Sequence, residues 1–453
     1  MTNPRYQQGC PGQLQEPGKN AARWVVNFNN GNVNDNNRNN NACVRAVRAG
    51  EYHGEGEVTL QALHTAWLAA RKGKQPSRNQ LSFDARWADN LIQLQELINT
   101  GRWQPRPSAC FVAERPKARE IHAPDFADRV VHHWLVPQLE AIWEPRFIHD
   151  SYANRRGKGS HAAVERLQNF VRQVHSGQKG GWYLQLDIHN FFNSIHRPTL
   201  WQIVKRSLEK AKVPNTVLQI THALLRRHPL HPGVNHHSTQ AERNLVPKHK
   251  RLENTGAACG LPIGNLSSQF FANVYLDKLD QFVKHTLKAR RYLRYVDDFI
   301  IVHNNRQQLE TWLGKIQTFI AQELRLSLKP DIRLKPLTDG IDFLGYVVRP
   351  TYTLVRKRVV AHAKETLGQW QQRHVTGNQI TATPAELRNI QAVTASFHGH
   401  CRHANTHRLQ AAMGQQFPWL NAATRRRKFH HQLEGRAIAI PVLASSPTTG
   451  FKL

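Results

Sequence analysis

From about residue 58 the apolar residues of this chain recur at three- and four-residue spacing, the period of a helix with one buried face. Leu60, Leu63, Trp67 and Leu68 share a face between Val58 and Lys72, and Leu91, Leu94, Leu97 and Ile98 share one between Asp84 and Thr100, where Gly101 supplies a stop. The pattern then contracts to strand-like runs, Ala109 to Val112 and Glu120 to His122, flanking Glu114-Arg115-Pro116-Lys117-Ala118-Arg119, which reads as a basic hairpin. Residues 126–144 and 161–175 read as helices, Trp182 to Asp187 as a strand, and 197–226 as helical again. Residues 228–255, rich in His, Pro, Asn and Lys, read as a long loop. A helix is expected from Leu266 to His285, then two short β-prone runs around Asp297-Asp298, a helix over 306–323, and a strand-like Phe343-Leu344-Gly345-Tyr346. Past residue 350 the pattern is helical and basic, ending in Arg425-Arg426-Arg427-Lys428.

The chain has 453 residues, with 62 Lys plus Arg against 32 Asp plus Glu, a formal charge of +30. A surplus of that size points to a polyanion as partner. A membrane surface is a polyanion too, but no apolar run approaches the ~20 residues of a spanning helix. Residues 1–23 lack the apolar core of a signal peptide, so the expected setting is cytoplasmic. The cysteines at 10, 43, 110, 259 and 401 have no paired spacing, which predicts reduced thiols and no zinc motif. His228, His231, His236 and His237 cluster near Pro229, Pro232 and Gly233, and read as a polar loop beside nucleic acid in preference to a metal site. Residues 27–41 hold ten Asn, a tract expected to be disordered.

Chemistry enters with the carboxylates. Asp297 and Asp298 lie between Arg291-Tyr292-Leu293-Arg294 and Phe299-Ile300-Ile301-Val302, so a hairpin carries two acids at its tip. Adjacent carboxylates repel, and a divalent cation is the natural neutraliser. Asp187, at the end of Trp182-Tyr183-Leu184-Gln185-Leu186, is a third acid delivered by a strand. One plus two carboxylates on two strands, over a hundred residues apart in sequence, suit two cations a few ångströms apart for in-line phosphoryl transfer. Leu186-Asp187-Ile188-His189-Asn190-Phe191-Phe192 and Tyr295-Val296-Asp297-Asp298 resemble palm motifs A and C of reverse transcriptases, and the resemblance extends through most of the chain from about residue 51.

That resemblance implies an α+β, right-hand polymerase: an antiparallel palm sheet with helices on one face, fingers and a helical thumb. The implied limits are an Asn-rich leader at 1–48, fingers at 49–180, palm at 181–350, thumb at 351–435 and a tail at 436–453. Asp187, Asp297 and Asp298 are the implied catalytic acids, holding two Mg²⁺ (Mn²⁺ as substitute) with help from the Ile188 carbonyl. Lys117 and Arg119 resemble the fingers motif that grips a triphosphate, and Phe192 the aromatic gate against a ribose 2′-hydroxyl, with Phe191 turned into the core. Arg156 and Lys158, in a basic Gly-containing turn, are expected along the template backbone, and Phe343, Leu344, Gly345 and Tyr346 resemble the primer grip. Lys329 or Lys335 stands where the family places a Lys that assists pyrophosphate.

Most reverse transcriptases carry Gln-Gly-x-x-x-Ser-Pro where this chain has Ile263-Gly264-Asn265-Leu266-Ser267-Ser268-Gln269. Ile263 and Gln269 resemble the diversity-generating retroelement branch, which copies a template repeat and misincorporates opposite adenine. The Asn-rich leader agrees, since Asn codons begin with two adenines and an in-frame adenine-rich repeat would translate this way. The resemblance implies template RNA, cDNA, dNTPs and a small basic helical accessory protein as partners, in a bacterial, phage or archaeal cell. It offers no carboxylate cluster for ribonuclease H or an endonuclease past Tyr346. Rival readings are a group II intron-like or defence-associated reverse transcriptase, and an inactive nucleic-acid-binding protein with a polymerase fold.

Overall fold

The computed structural model describes residues 56–73, 75–114, 117–178, 180–424 and 437–442, and the backbone of the antiparallel strands Val25–Asn27 and Asn32–Asn34. The rest of the Asn-rich leader and the run Arg425 to Lys428 lie outside the described residues.

At the centre is a four-stranded antiparallel sheet in the order Tyr292–Tyr295, Asp298–His303, Trp182–Asp187, Arg333–Pro336. Leu184, Leu186, Phe299 and Ile301 join a core with the helices Leu266–Gln281 and Arg306–Leu324. Tyr183, Leu293, Ile300 and Val302 face the other way, onto Val164, Leu167, Phe170 and Val171 of the helix Ser160–Gln178. The architecture is the expected one, with one correction: helices cover both faces of the palm sheet. The signal was in the strands, where Phe299-Ile300-Ile301-Val302 is continuously apolar and does not alternate.

The fingers hairpin forms as expected, pairing Ser108–Ala113 with Arg119–Ala123. The long loop does not. Within 228–255, Val234–His236 adds as a parallel third strand beside Ser108–Cys110, and Gln240–Asn244 is a short helix closed by a Thr239–Glu242 capping box. The helical stretch 197–226 is two helices, Arg197–Lys210 and Asn215–Arg226, separated where Lys212 takes φ +51° ahead of Pro214. The helix expected over 84–100 forms as Trp87–Asn99, and a further helix, Arg78–Asp84, precedes it, the two separated where Arg86 leaves helical geometry. Phe343 to Tyr346 is a hairpin turn and not a strand: Leu344 and Gly345 both have positive φ between Ile341–Phe343 and Tyr346–Val348. Thr353–Val355 completes that sheet. Beyond it, the helices Lys357–His374, Pro384–Cys401 and His407–Gln416 enclose a small core with Gln379–Ala382, and Ile438–Pro441 pairs onto this last strand.

One buried charge pair anchors the tip of the palm sheet. Arg294 and Asp280 have side chains 1% and 0% exposed, 2.6 Å apart. Every guanidinium N–H is used: Nε donates to Asp280 Oδ1 (2.8 Å), Nη1 to Asn273 Oδ1 (3.2 Å) and to the carbonyl of Val296 (2.8 Å), and Nη2 to Ser151 Oγ (3.1 Å) and Asp280 Oδ2. Tyr292 Oη donates to Asp280 Oδ1 at 2.6 Å. Such a pair tolerates burial because nothing in it is left unbonded. Arg294→Ala is expected to cost about 3–5 kcal/mol, because Asp280 keeps its charge and loses its partner. In urea unfolding, Arg294→Met combined with Asp280→Leu should recover most of that loss; a double variant as unstable as Arg294→Ala would refute the stranded-charge account.

Candidate active site

Three strand ends converge on the acids. Trp182–Asp187 finishes at Asp187, directly opposite Asp298, which begins the strand Asp298–His303. Tyr295 pairs with Asp298, so Val296 and Asp297 form a two-residue turn. Val296 takes φ +56°, the sign that matches a hairpin turn to strand twist, and an expensive one for a β-branched residue. Its carbonyl is the one held by Arg294, so the strained turn is fastened from below.

The electrostatics follow from this crowding. Burial first, then the Asp187 carboxylate, lift the Asp297 carboxyl from 3.8 to about 7, with Lys329 pulling the other way. Asp298 also rises to about 7: burial leads, the Gln185 hydrogen bond opposes it, and Asp187 and Asp297 add repulsion. Gln185 Nε2 reaches both Asp298 oxygens, at 3.2 and 3.3 Å, and fixes that side chain. Lys329 Nζ pairs with Asp187 Oδ2, while Asp187 Oδ1 is buried with no hydrogen-bond partner. Carboxylates held together, short of positive charge and with an orphaned oxygen, fit divalent cations.

The other expected residues fall into three places. Beside the acids, Ile188 is fully buried and bridges to Leu328; the bridge employs the Asp187 carbonyl and the His189 N–H and leaves the Ile188 carbonyl outside it. Phe191 is buried and Phe192 half-buried, its carbonyl accepting from Leu261 N at 2.8 Å. Lys329, not Lys335, is the lysine at the acids, since Lys335 pairs with Tyr183 about 13 Å down the strand from Asp187. On the fingers, Lys117 is exposed and Arg119 half-buried at the loop end of the hairpin. Ile263 meets the same hairpin: the His122 N–H donates to its carbonyl at 2.7 Å, and Gly264 packs so closely that a Cβ would lie 2.9 Å from the His122 carbonyl. Gln269 is half-buried in the first turn of Leu266–Gln281.

Farther out, Lys158 folds back to donate to the His149 carbonyl at 3.0 Å, whereas Arg156 is exposed with a loose 3.7 Å pairing to Glu140. The Leu344-Gly345 turn is backed by His400, whose ring stacks on Tyr346 with centroids 4.1 Å apart. Sequence reasoning missed Gln185 and the set Arg294, Asp280, Asn273 and Ser151. For Gln185, Asn273 and Arg294 the signal was a polar residue inside an otherwise apolar element, as Arg294 is between Leu293 and Tyr295.

The family comparison agrees with this geometry. Residues 112–348 match the family model described as reverse transcriptase (RNA-dependent DNA polymerase). Protein YkfC of Escherichia coli is 23% identical over 317 residues, covering 62% of this chain and 75% of that protein. The group II intron-encoded protein LtrA of Lactococcus lactis is 20% identical over 322 residues, and the match takes in 62% of this chain and 53% of LtrA, so this chain spans only about half of that relative. A solved telomerase from Candida albicans overlays 73% of this chain and 58% of its own at 12% identity, with a TM-score of 0.43. With its carboxylate-tipped antiparallel palm and a family match that runs from within the fingers hairpin through the whole palm sheet, the chain belongs to the reverse transcriptase (RNA-dependent DNA polymerase) family.

Proposed function

We propose that the chain is the polymerase of a diversity-generating retroelement: with dNTPs it copies a template-repeat RNA into cDNA and misincorporates opposite adenine. The observation that carries the polymerase chemistry is the buried, unpartnered Asp187 oxygen facing two carboxyls of raised pKa. Asp187 and Asp297 would hold two Mg²⁺ ions, with Asp298 and the Ile188 carbonyl in support; when bound, these supply charge that acidifies the primer 3′-hydroxyl and steadies the leaving pyrophosphate. Lys329 balances Asp187 in the free protein and can protonate the departing pyrophosphate once the carboxylates are neutralised. Lys117 and Arg119 grip the triphosphate, Phe192 stands against the 2′-hydroxyl, Arg156 and Lys158 follow the template backbone, and residues 343–346 hold the primer.

The retroelement assignment rests on Ile263 and Gln269. Ile263 offers an aliphatic group where most relatives offer an amide donor, removing one penalty against a misplaced base or sugar. Such systems resemble one another in using a small basic helical accessory protein to gather the template RNA, and one is expected here. An intron-type polymerase is the second reading, favoured by the similarity to LtrA. No helix among the described residues is long and apolar enough to cross a membrane.

Three outcomes test these assignments. Asp187→Ala or Asp297→Ala should abolish Mg²⁺-dependent primer extension while filter binding of RNA persists; substantial residual synthesis would remove them as metal ligands. The raised carboxyls stabilise the metal-free fold at low pH, where they keep their protons, and that contribution is lost as pH rises through about 7. Millimolar Mg²⁺ should therefore raise the melting temperature more at pH 8 than at pH 6, and Asp297→Asn should flatten the difference. Finally, Ile263→Gln should lower errors opposite template adenine by about one to two powers of ten, the worth of one contact of ~1–3 kcal/mol, with a smaller effect on total synthesis. Sequenced cDNA from an adenine-containing template decides it; a parent enzyme that copies adenine as faithfully as other bases favours the intron-type reading.

A further inference from the structure

Away from the palm, three buried side chains of different chemistry meet on one face of the fingers sheet. Cys110 and His122 are direct cross-strand partners, and Glu120 lies two residues from His122, so the pleat turns all three the same way. They are 1%, 3% and 5% exposed, and a ligand atom from each lies within 4.8 Å of the other two. His122 Nε2 is 3.8 Å from Cys110 Sγ and 3.5 Å from Glu120 Oε2.

Those spacings decide between two accounts. For a hydrogen bond 3.5 Å between nitrogen and oxygen is long, and the single Nε2 of a neutral imidazole cannot donate to both neighbours. In a tetrahedral zinc site, bond lengths near 2.3 Å to sulfur and 2.0–2.2 Å to nitrogen and oxygen give ligand-to-ligand edges of about 3.6 Å for S···N and about 3.4 Å for N···O. The observed pair of distances follows that pattern. Glu120 is held in place, its Oε2 accepting the Leu252 N–H at 2.9 Å, and Ser108 Oγ lies on the far side of the His122 ring, 3.5 Å from Nδ1.

We propose that Cys110, Glu120 and His122 bind one structural Zn²⁺ at the base of the fingers hairpin. A thiolate, an imidazole and a carboxylate make a mixed set suited to this borderline-soft ion and less so to Mg²⁺. The Val234–His236 strand places His236, an exposed residue outside the three-ligand cluster, in register with Cys110. The ion would stiffen the hairpin between its basic end, Lys117 and Arg119, and the His122 N–H that holds the Ile263 carbonyl. It would thus set how the triphosphate grip sits over the pocket floor.

The test uses the full chain purified without chelator, dialysed against Mg²⁺ buffer and analysed for zinc by mass spectrometry. About one equivalent per chain is expected, falling at least fivefold in Cys110→Ser of unchanged circular dichroism. Replacement by Co²⁺ should give the parent chain a thiolate-to-cobalt charge-transfer band, a signature that the all-oxygen palm site cannot produce, and folded Cys110→Ser should lack it. If Cys110→Ser does not fold, the parent alone decides: zinc below a tenth of an equivalent with no band after cobalt addition overturns the proposal. So does a band that persists in folded Cys110→Ser.

Discussion

Mutual repulsion among Asp187, Asp297 and Asp298 is the constraint around which this fold is organised. A sheet tip carrying three acids would splay in isolation, and two of its carboxyls are raised to about 7, first by burial and then by their neighbours' charge. The opposing force is the buried Arg294, which spends all five donors on Asp280, Asn273, Ser151 and the Val296 carbonyl. Through those partners one guanidinium joins the long helix Leu266–Gln281, the segment before Ser160–Gln178 and the acidic turn itself. Ser151 lies along the edge of the palm sheet, bridged to the Arg294 backbone, and Asp280 on the helix packed against it, so the turn is fixed to the sheet edge and to that helix at once.

A second tie couples the palm to the fingers. Ile263 and Gly264 precede the helix that carries Asp280, and their backbone rests on His122 of the hairpin. Displacement of the hairpin would therefore move the backbone of Ile263 and Gly264 at the start of that helix. In physical terms, the placement of Ile263 depends on strand geometry as much as on its own side chain.

The palm was legible because its signals are local. Strand Trp182–Asp187 and the hairpin around Asp297-Asp298 announce themselves by apolar runs ending in acids, and the helices by their period. What could not be read was pairing between distant segments. Val234–His236 looks like loop composition, and becomes a strand only because Ser108–Cys110 offers an edge. The same holds for Cys110, Glu120 and His122, whose sequence spacing follows no metal motif and whose convergence is a product of hairpin register. Arg294 was invisible as a structural residue for a related reason: in sequence it is one more base in a chain of 62 Lys and Arg, and its burial depends on Asp280 arriving from another helix.

Val296 invites an argument about evolvability. A β-branched residue at φ +56° stores strain of about 1–3 kcal/mol that glycine would relieve. Replacement by glycine would thus be a gain by folding criteria, yet it would free the backbone beside Asp297 to sample other turn geometries and blur the spacing of the acids. Selection for thermal robustness alone would drift toward a floppier, slower catalyst at this position. Stabilised variants of this enzyme are therefore better sought in the distant helices around Trp419 than at the tip of the palm, where rigidity and stability pull in opposite directions.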